Sequence, residues 1–421
     1  MHDSRTVELP SKWADVDVRG LLAGSALAVG AGTPTDAGVS WLLPTQVERP
    51  IVMGGGIPDP ATLPVQELQE ALTRALESSP EETLRYGGVL GYEGLREALA
   101  ERYSRLDGVK LTLDNFIIGN GSAGAIGNVC DAFLEPGDVV IVESPTFSGS
   151  IRTIRGHMAE VVSVAMDQDG VRLDLVAREI EKAGTAGKRV KFLYTVADFH
   201  NPTGTTMSLD RRKGLLELCA EHGVLLVEDA AYAEIYYEDE PPPSLYGLAA
   251  GQGILKVGTF SKPIATGLRV GWVQAREDFV AALSQVKFDM GSSPILLRAL
   301  SDFVGSGKLD SHLEMMRPIY AAKCDALCQG LEDHCADMVS FVKPKGGFFL
   351  WLDCIGASAT DVTRSAAELG LTFAPGALFY LNGKEDDTSH VRLALSTSDA
   401  ELLREVGPRL RAAFERLPAA G

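Results

Sequence analysis

The chain has 421 residues, 45% of them hydrophobic, with 44 glycines, 21 prolines and a formal net charge of -18. That length supports two or three domains around a large core. The acidic balance argues against a nucleic-acid backbone as a partner.

Taken from the start, residues 1–50 hold no chemical motif. The apolar stretch from Gly20 to Gly32 is glycine-rich and too short to span a bilayer. Asp3, Glu8, Asp15 and Asp17 before it are wrong for a signal peptide's basic start. It is expected to form an N-terminal helix and loop, and no membrane partner is expected. Next comes Met53-Gly-Gly-Gly-Ile-Pro-Asp59, whose glycines would let the backbone approach a ligand closely. Leu68, Leu72, Ala75 and Leu76 share one face of an amphipathic helix over 64–77. Leu84-Arg-Tyr86-Gly-Gly follows as a loop.

From there strands and helices alternate. Apolar runs at 115–119, 139–143, 160–165, 191–196, 224–229 and 254–258 read as strands, with a helix near 210–222. Such alternation predicts a mostly parallel sheet covered on both faces. Helical sequence around 276–330 leads to a change of pattern. Strands at 348–352, 371–373 and 390–395 then describe a smaller α+β domain. The expected division is an N-terminal segment 1–60 packing on the small domain and active site, a large domain 61–300 and a small domain 301–421. Cys130, Cys219, Cys324, Cys328, Cys335 and Cys354 are scattered. The grouping of Cys324, Cys328, His334 and Cys335 matches no zinc spacing, so no metal is expected. Without a leader sequence, reduced thiols in a cytoplasmic enzyme are the natural reading.

The most informative stretch is Thr259-Phe-Ser-Lys-Pro-Ile-Ala-Thr-Gly-Leu-Arg-Val-Gly-Trp272. A lysine at the mouth of an apolar sheet beside a fixed arginine favours a neutral amine, which can form a Schiff base. The hydroxyls of Thr259 and Ser261, with Arg269, would grip a phosphate. Together these describe a pyridoxal phosphate lysine, Lys262, with its phosphate cup. The stretch resembles the Ser-x-Ser-Lys…Gly-[Leu/Phe]-Arg-x-Gly motif of the class I/II aminotransferases, with Thr259 in place of the first serine. That resemblance implies the type I pyridoxal phosphate-dependent transferase fold.

Further motifs follow in family order, and the roles below are those the resemblance implies. Gly56 of the glycine loop contacts the substrate carboxylate. Tyr86 reaches across a homodimer interface to the other subunit's cofactor phosphate, so the active sites are shared. Ser122, Ala123 and Gly124 hold that phosphate. Phe147, in Glu143-Ser-Pro-Thr-Phe147, stacks on the cofactor ring. Asn201, in Asn201-Pro-Thr-Gly204, and Tyr232 bond the ring hydroxyl, Asn201 also contacts the substrate, and Asp229 pairs with the ring nitrogen. Arg392 clamps the substrate α-carboxylate, with 344–348 and 374–379 as the loops that place it. Ser144-Pro145 and Asn201-Pro202 are expected to be cis.

The resemblance spans about 50–415 and most resembles 2-aminoadipate-type and regulator-like aminotransferases. With some fifty residues ahead of Met53 and no basic patch, the regulators' DNA-binding domain is not expected. The implied activity moves the amino group of an α-amino acid to a 2-oxo acid through a Lys262 aldimine. A lyase, cyclase or oxidase of the same fold would use the same residues, and a non-catalytic ligand-binding protein would not need them. One rival comes from Gly119-Asn-Gly121-Ser-Ala-Gly124, a dinucleotide fingerprint with Glu143 as a ribose acid. It begins more than a hundred residues into the chain, and a glycine turn before a helix binds any phosphate. One departure from the family pattern stands out. Ala197-Asp-Phe-His-Asn201 replaces Pro-x-Phe-Gln-Asn. His200 is a candidate acid–base group, but strand alternation turns it from the face Asn201 uses.

Overall fold

The computed structural model describes residues 17–30 and 49–418. Its strands, in chain order, are β1 (Ile51–Val52), β2 (Phe116–Gly119), β3 (Val139–Ser144), β4 (Glu160–Asp167), β5 (Gly170–Val171), β6 (Val190–Thr195) and β7 (Leu225–Asp229). They continue as β8 (Ile254–Thr259), β9 (Gly271–Gln274), β10 (Val339–Phe341), β11 (Phe349–Cys354), β12 (Leu371–Thr372), β13 (Ala374–Pro375) and β14 (His390–Ala394).

Eight of these form one sheet in the order β2-β9-β8-β7-β6-β3-β4-β5. Pairings β8·β7, β7·β6, β6·β3 and β3·β4 are parallel, while β9 and the short β5 run against their neighbours. The reversal at β9 has a local cause. Residues between Thr259 and Gly271 form a tight return rather than a crossover helix, so the strands pair antiparallel. The inner strands are apolar at nearly every position because helices cover both faces. In β3, Val139, Val140, Ile141 and Val142 are all buried.

Helices are ended by the chemistry the sequence provides. In the helix Leu209–His222, the Ser208 hydroxyl accepts from the backbone N–H of Arg211, and Gly223 closes the far end at φ 64°. The helical stretch near 276–330 resolves into Glu277–Val286, Pro294–Gly305 and Lys308–Cys335. Its breaks fall where Gly291 (φ 89°) and Gly307 (φ 77°) take left-handed backbone and where Pro294 opens a helix.

Beyond the large sheet, β10-β11-β14-β13 form an antiparallel sheet. β1 pairs in parallel with β12, Ile51 opposite Leu371. Ile51 and Met53 therefore share a core with Leu350, Leu352, Val391 and Leu393. The helix Lys308–Cys335 spans both regions: Leu309 and Leu313 pack in the large-sheet core, Met316 to Cys335 in the other. The N-terminal stretch forms a helix, Gly24–Gly30, lying on the helix Ser148–Gly156. Residues 1–16 and 31–48, including the end of the expected loop at Ala31 and Gly32, lie outside the described residues. All six cysteines are buried and free, and among the described residues no His, Cys, Asp and Glu cluster could hold a metal.

Candidate active site

A cavity of about 200 Å³ opens at the C-terminal ends of the parallel strands, where ligands bind in open α/β sheets. Each strand end delivers one part of its wall. Ser122 and Ala123 follow β2, Phe147 follows β3, Val196 and Asn201 follow β6, Asp229 and Tyr232 end or follow β7, and Ser261 and Lys262 follow β8.

Lys262 Nζ donates to the Gly56 carbonyl at 2.7 Å and stands 5.6 Å from the centre of the Tyr232 ring. On the floor, Asp229 Oδ2 accepts from the Tyr194 hydroxyl at 2.7 Å, and Oδ1 accepts from the Ala231 backbone N–H at 3.2 Å. Burial pushes the Asp229 carboxyl above its ordinary value, and those two hydrogen bonds work against that rise. Such a carboxylate gains most from a cationic partner brought to it.

At the other end lies an anion cradle. Ser122 and Ala123 sit in the first turn of the helix Gly121–Phe133, where backbone N–H groups have no intrahelical acceptor. Thr259 Oγ1 lies 3.0 Å from Ser261 Oγ and accepts the Ser261 N–H. Arg269, at φ 51°, folds its guanidinium back over the helix start. A Cβ on Gly121 would stand 2.5 Å from Arg269 Nη2, and one on Gly271 would stand 2.7 Å from the Ser122 nitrogen. Only glycines allow this approach.

The opposite wall comes from the small domain. Arg392 is buried, its guanidinium between the rings of Phe349 and Phe379 at 4.3 and 4.5 Å. Nη1 donates to Asn201 Oδ1 at 2.7 Å and Nη2 to the Gly54 carbonyl at 2.6 Å.

Of the residues expected from sequence, Gly56, Ser122, Ala123, Phe147, Asn201, Asp229, Tyr232, Ser261, Lys262 and Arg269 line the cavity. Thr259 stands behind Ser261, and Arg392 reaches the site through Asn201. Gly124 does not line the cavity; it lies further round the exposed side of its helix turn. Tyr86 is not brought to the cavity within one chain. It is 82% exposed and lines a surface hollow with Leu84 and Met290–Pro294. Both Ser144-Pro145 and Asn201-Pro202 are cis.

Sequence reasoning missed Val196, Ala231, Thr266 and Phe349 on the wall, and Tyr194 beneath Asp229. His200 is turned from the cavity and into the interior, but strand alternation is not the reason: β6 ends at Thr195, and His200 lies in the turn beyond it. Its Nε2 lies 3.2 Å from Glu143 Oε2 with both side chains fully buried, and Thr203 Oγ1 is 2.9 Å from Nδ1. Glu143 in turn accepts from the Thr195 hydroxyl at 2.6 Å and the Val196 N–H at 2.9 Å. His200 thus braces the turn before Asn201 rather than facing a ligand.

Comparison with known proteins agrees with this geometry. The model of the family "Aminotransferase class I and II" matches residues 50–409. The aromatic-amino-acid aminotransferase 1 of Thermococcus litoralis is 31% identical over 363 residues, 86% of this chain and 87% of its own. The 2-aminoadipate transaminase of Thermus thermophilus is 32% identical over 401 residues, 94% of this chain and 98% of its own. The solved structure of LysN, the α-aminoadipate aminotransferase of Thermus thermophilus, superposes with a TM-score of 0.83 at 30% identity. The match covers 95% of this chain and 98% of LysN, which is complexed with N-(5'-phosphopyridoxyl)-L-leucine. A lysine at the cavity mouth, a buried carboxylate below it and an anion cradle at one end are the donor set pyridoxal phosphate requires. The chain belongs to the class I and II aminotransferases and is a pyridoxal phosphate-dependent enzyme.

Proposed function

We propose that the enzyme moves the amino group of an α-amino acid to a 2-oxo acid, with Lys262 as the residue that anchors the cofactor. The observation that carries this reading is the placement of Lys262 Nζ in the same small cavity as the buried Asp229 carboxylate. Bound there, pyridoxal phosphate supplies an electron sink for the bond breaking at the substrate's α-carbon.

The chain's own residues do the rest. Asp229 holds the ring-nitrogen proton, and Asn201 and Tyr232 serve the ring hydroxyl. Phe147 offers a flat apolar face to the ring. The first-turn amides at Ser122 and Ala123, the hydroxyls of Thr259 and Ser261, and Arg269 bind the phosphate, while Gly124, one residue further into the helix, stays outside the cavity. Arg392 and the Gly56 amide take the substrate α-carboxylate, which fixes the α-proton toward Lys262. Lys262 Nζ then removes that proton and redelivers it, acting as general base and acid in turn.

The division 1–60, 61–300 and 301–421 is supported by the core clusters: two flank the large sheet, and a third, centred on the small domain, takes in Ile51 and Met53. A homodimer is supported by the exposure of Leu84 (72%) and Tyr86 (82%) at a hollow shared with Met290–Pro294, and by the exposed Phe288 nearby in sequence. In that assembly Tyr86 of each copy would complete the other's phosphate site. A cytoplasmic setting is supported by six reduced cysteines; no described helix is long and apolar enough to cross a membrane. The named relatives point to an aromatic or long acidic side chain on the donor.

Borohydride reduction followed by peptide mapping tests the anchor: the adduct is expected on Lys262. An adduct on Lys256, which is buried against Asp107 at 2.6 Å, would overturn the assignment. An amino-acid panel should bleach the visible absorption, and 2-oxoglutarate should restore it. Ammonia release or oxygen uptake without that cycle would favour a lyase or oxidase.

A further inference from the structure

Tyr194 is the next-to-last residue of the apolar strand β6, where a tyrosine reads as core filler, and it is fully buried. Parallel pairing sets it opposite Val227 on β7. Asp229 is two residues further along β7 and so projects on the same side of the sheet as Val227. The phenol reaches along the sheet and donates to Asp229 Oδ2 at 2.7 Å. With the Ala231 N–H on Oδ1, each carboxylate oxygen accepts one bond from the protein. An ionised carboxylate has about four acceptor positions, so capacity is left for a ring N–H.

We propose that Tyr194 is a positioning residue for the reaction: its hydroxyl orients Asp229 and stabilises the ionised carboxylate that holds the cofactor's ring-nitrogen proton. The inference rests on the cofactor reading above and adds to it a residue that never touches the cofactor. Its physical basis is the burial of Asp229. Taking a carboxylate out of water favours the neutral acid, and a neutral acid cannot pair with a protonated ring nitrogen. A hydroxyl aimed at the charged form opposes this, and burial keeps the Tyr194 phenol itself well above its ordinary value, hence a donor. The other charged groups facing Asp229 are Lys262, from the segment after β8, and Glu143, from β3 with His200 behind it. Neither is altered by a change at position 194.

The test is Tyr194→Phe, which keeps the ring and removes only the hydroxyl. In the holoenzyme, attachment at Lys262 should be retained and the thermal midpoint should fall by no more than the loss of one buried hydrogen bond, while kcat falls about tenfold or more, as for loss of a hydrogen bond to a charged group. The acid limb of the kcat–pH profile should move up by about one unit, because losing a donor to the charged form raises a carboxyl pKa. Affinity of the apoprotein for pyridoxal phosphate, read by fluorescence titration, should weaken several-fold. KM for the amino acid should move little. In an Asp229→Asn background the same substitution should add nothing, since the pair acts as one unit.

Unchanged kcat, acid limb and affinity in Tyr194→Phe would overturn the inference, as would a full additional loss in the Asp229→Asn background. If the variant does not fold, 3-fluorotyrosine at position 194 preserves the shape and makes the phenol a stronger donor. The acid limb must then move down, and an unmoved limb overturns the proposal. Failure of the unaltered protein to take up pyridoxal phosphate at Lys262 would instead sink the cofactor reading, so the two failures are distinct.

Discussion

Replacing Arg392 by lysine separates the shape of the carboxylate clamp from its charge. In the structure the guanidinium uses two nitrogens at once, Nη1 on Asn201 Oδ1 at 2.7 Å and Nη2 on the Gly54 carbonyl at 2.6 Å. It is held in plane between Phe349 and Phe379. Lysine keeps the positive charge and most of the apolar stem but presents a point, not a fork. One charge-assisted hydrogen bond of the pair is lost, and such bonds are worth about 1.5–3 kcal/mol each. For a substrate carboxylate held bidentately, kcat/KM should therefore fall roughly 10- to 150-fold. Most of the change should lie in KM, because the clamp acts in both ground and transition states. The assay is the single-turnover half-reaction with an amino acid, followed by the cofactor's visible absorption across a concentration series. Stability should drop as well, by about 1–3 kcal/mol, because the Asn201 or Gly54 oxygen loses its buried partner. A lysine variant with kcat/KM within about threefold of the original would refute the idea that Arg392 grips the substrate as a fork.

Three further outcomes are expected. Asp229→Asn preserves the shape of the floor and removes its charge, so kcat should collapse on the order of a hundredfold while cofactor affinity weakens less; unimpaired turnover would refute the electron-sink role. Gly271→Ala would place a Cβ 2.6 Å from the Gly121 carbonyl carbon and 2.7 Å from the Ser122 nitrogen. These are backbone atoms that cannot swing aside, so the melting point should fall by the equivalent of about 1–3 kcal/mol and cofactor affinity should fall with it. His390 stacks on Trp351 and bonds Asp387 at 2.6 Å; burial works against its charge, but Asp387, helped by Asp353, outweighs burial and raises its pKa. Stability from this pair is present below the ordinary histidine value and lost as pH rises through the folded one. Thermal melts across about pH 6–9 should show a decline that Asp387→Asn abolishes, and an identical decline in the variant would refute the assignment.

The large sheet was legible because its inner strands are buried on both faces and so appear as unbroken apolar runs, each followed within a few residues by one that lines the site. Val139–Ser144 and Leu225–Asp229 are of this kind. Local motifs also sufficed for the cradle, because a glycine turn before a helix and a hydroxyl pair before a lysine act through neighbouring backbone. What the sequence hides are contacts between strands. Tyr194 looks like any buried aromatic until the β6–β7 register aims its hydroxyl at Asp229. Phe349 becomes a wall only because the β11–β14 register sets Trp351 opposite Arg392 and so brings Phe349 alongside it. The pairing of His200 with Glu143 joins residues 57 apart in sequence, one in the turn after β6 and the other on the neighbouring β3. The helix breaks at 287–293 and 306–307 were concealed by continuous helical composition. Backbone conformation at Gly291 and Gly307 decides them.

The site straddles two cores, and the polar contacts that cross it show how. Because Ile51 pairs with Leu371, the segment leading to Gly54 and Gly56 is fastened to the small domain's structure, not to the large sheet. Lys262, by contrast, is fixed to β8, and Asn201 follows β6. The bonds Lys262–Gly56 and Arg392–Asn201 therefore tie one core to the other directly through the residues assigned to chemistry and substrate binding. An amino acid entering the cavity would compete for both: its carboxylate with Asn201 for the Arg392 fork, and its amino group with the Gly56 carbonyl for the region around Lys262. Substrate binding and these cross-site hydrogen bonds are then linked, since the incoming carboxylate and Asn201 exchange at the same Arg392 donors. The helix Lys308–Cys335, rooted in both cores, is a further covalent link between them. A ligand lacking the α-carboxylate could occupy the cavity without replacing the Arg392–Asn201 bond, and so could not shift that exchange by the same amount.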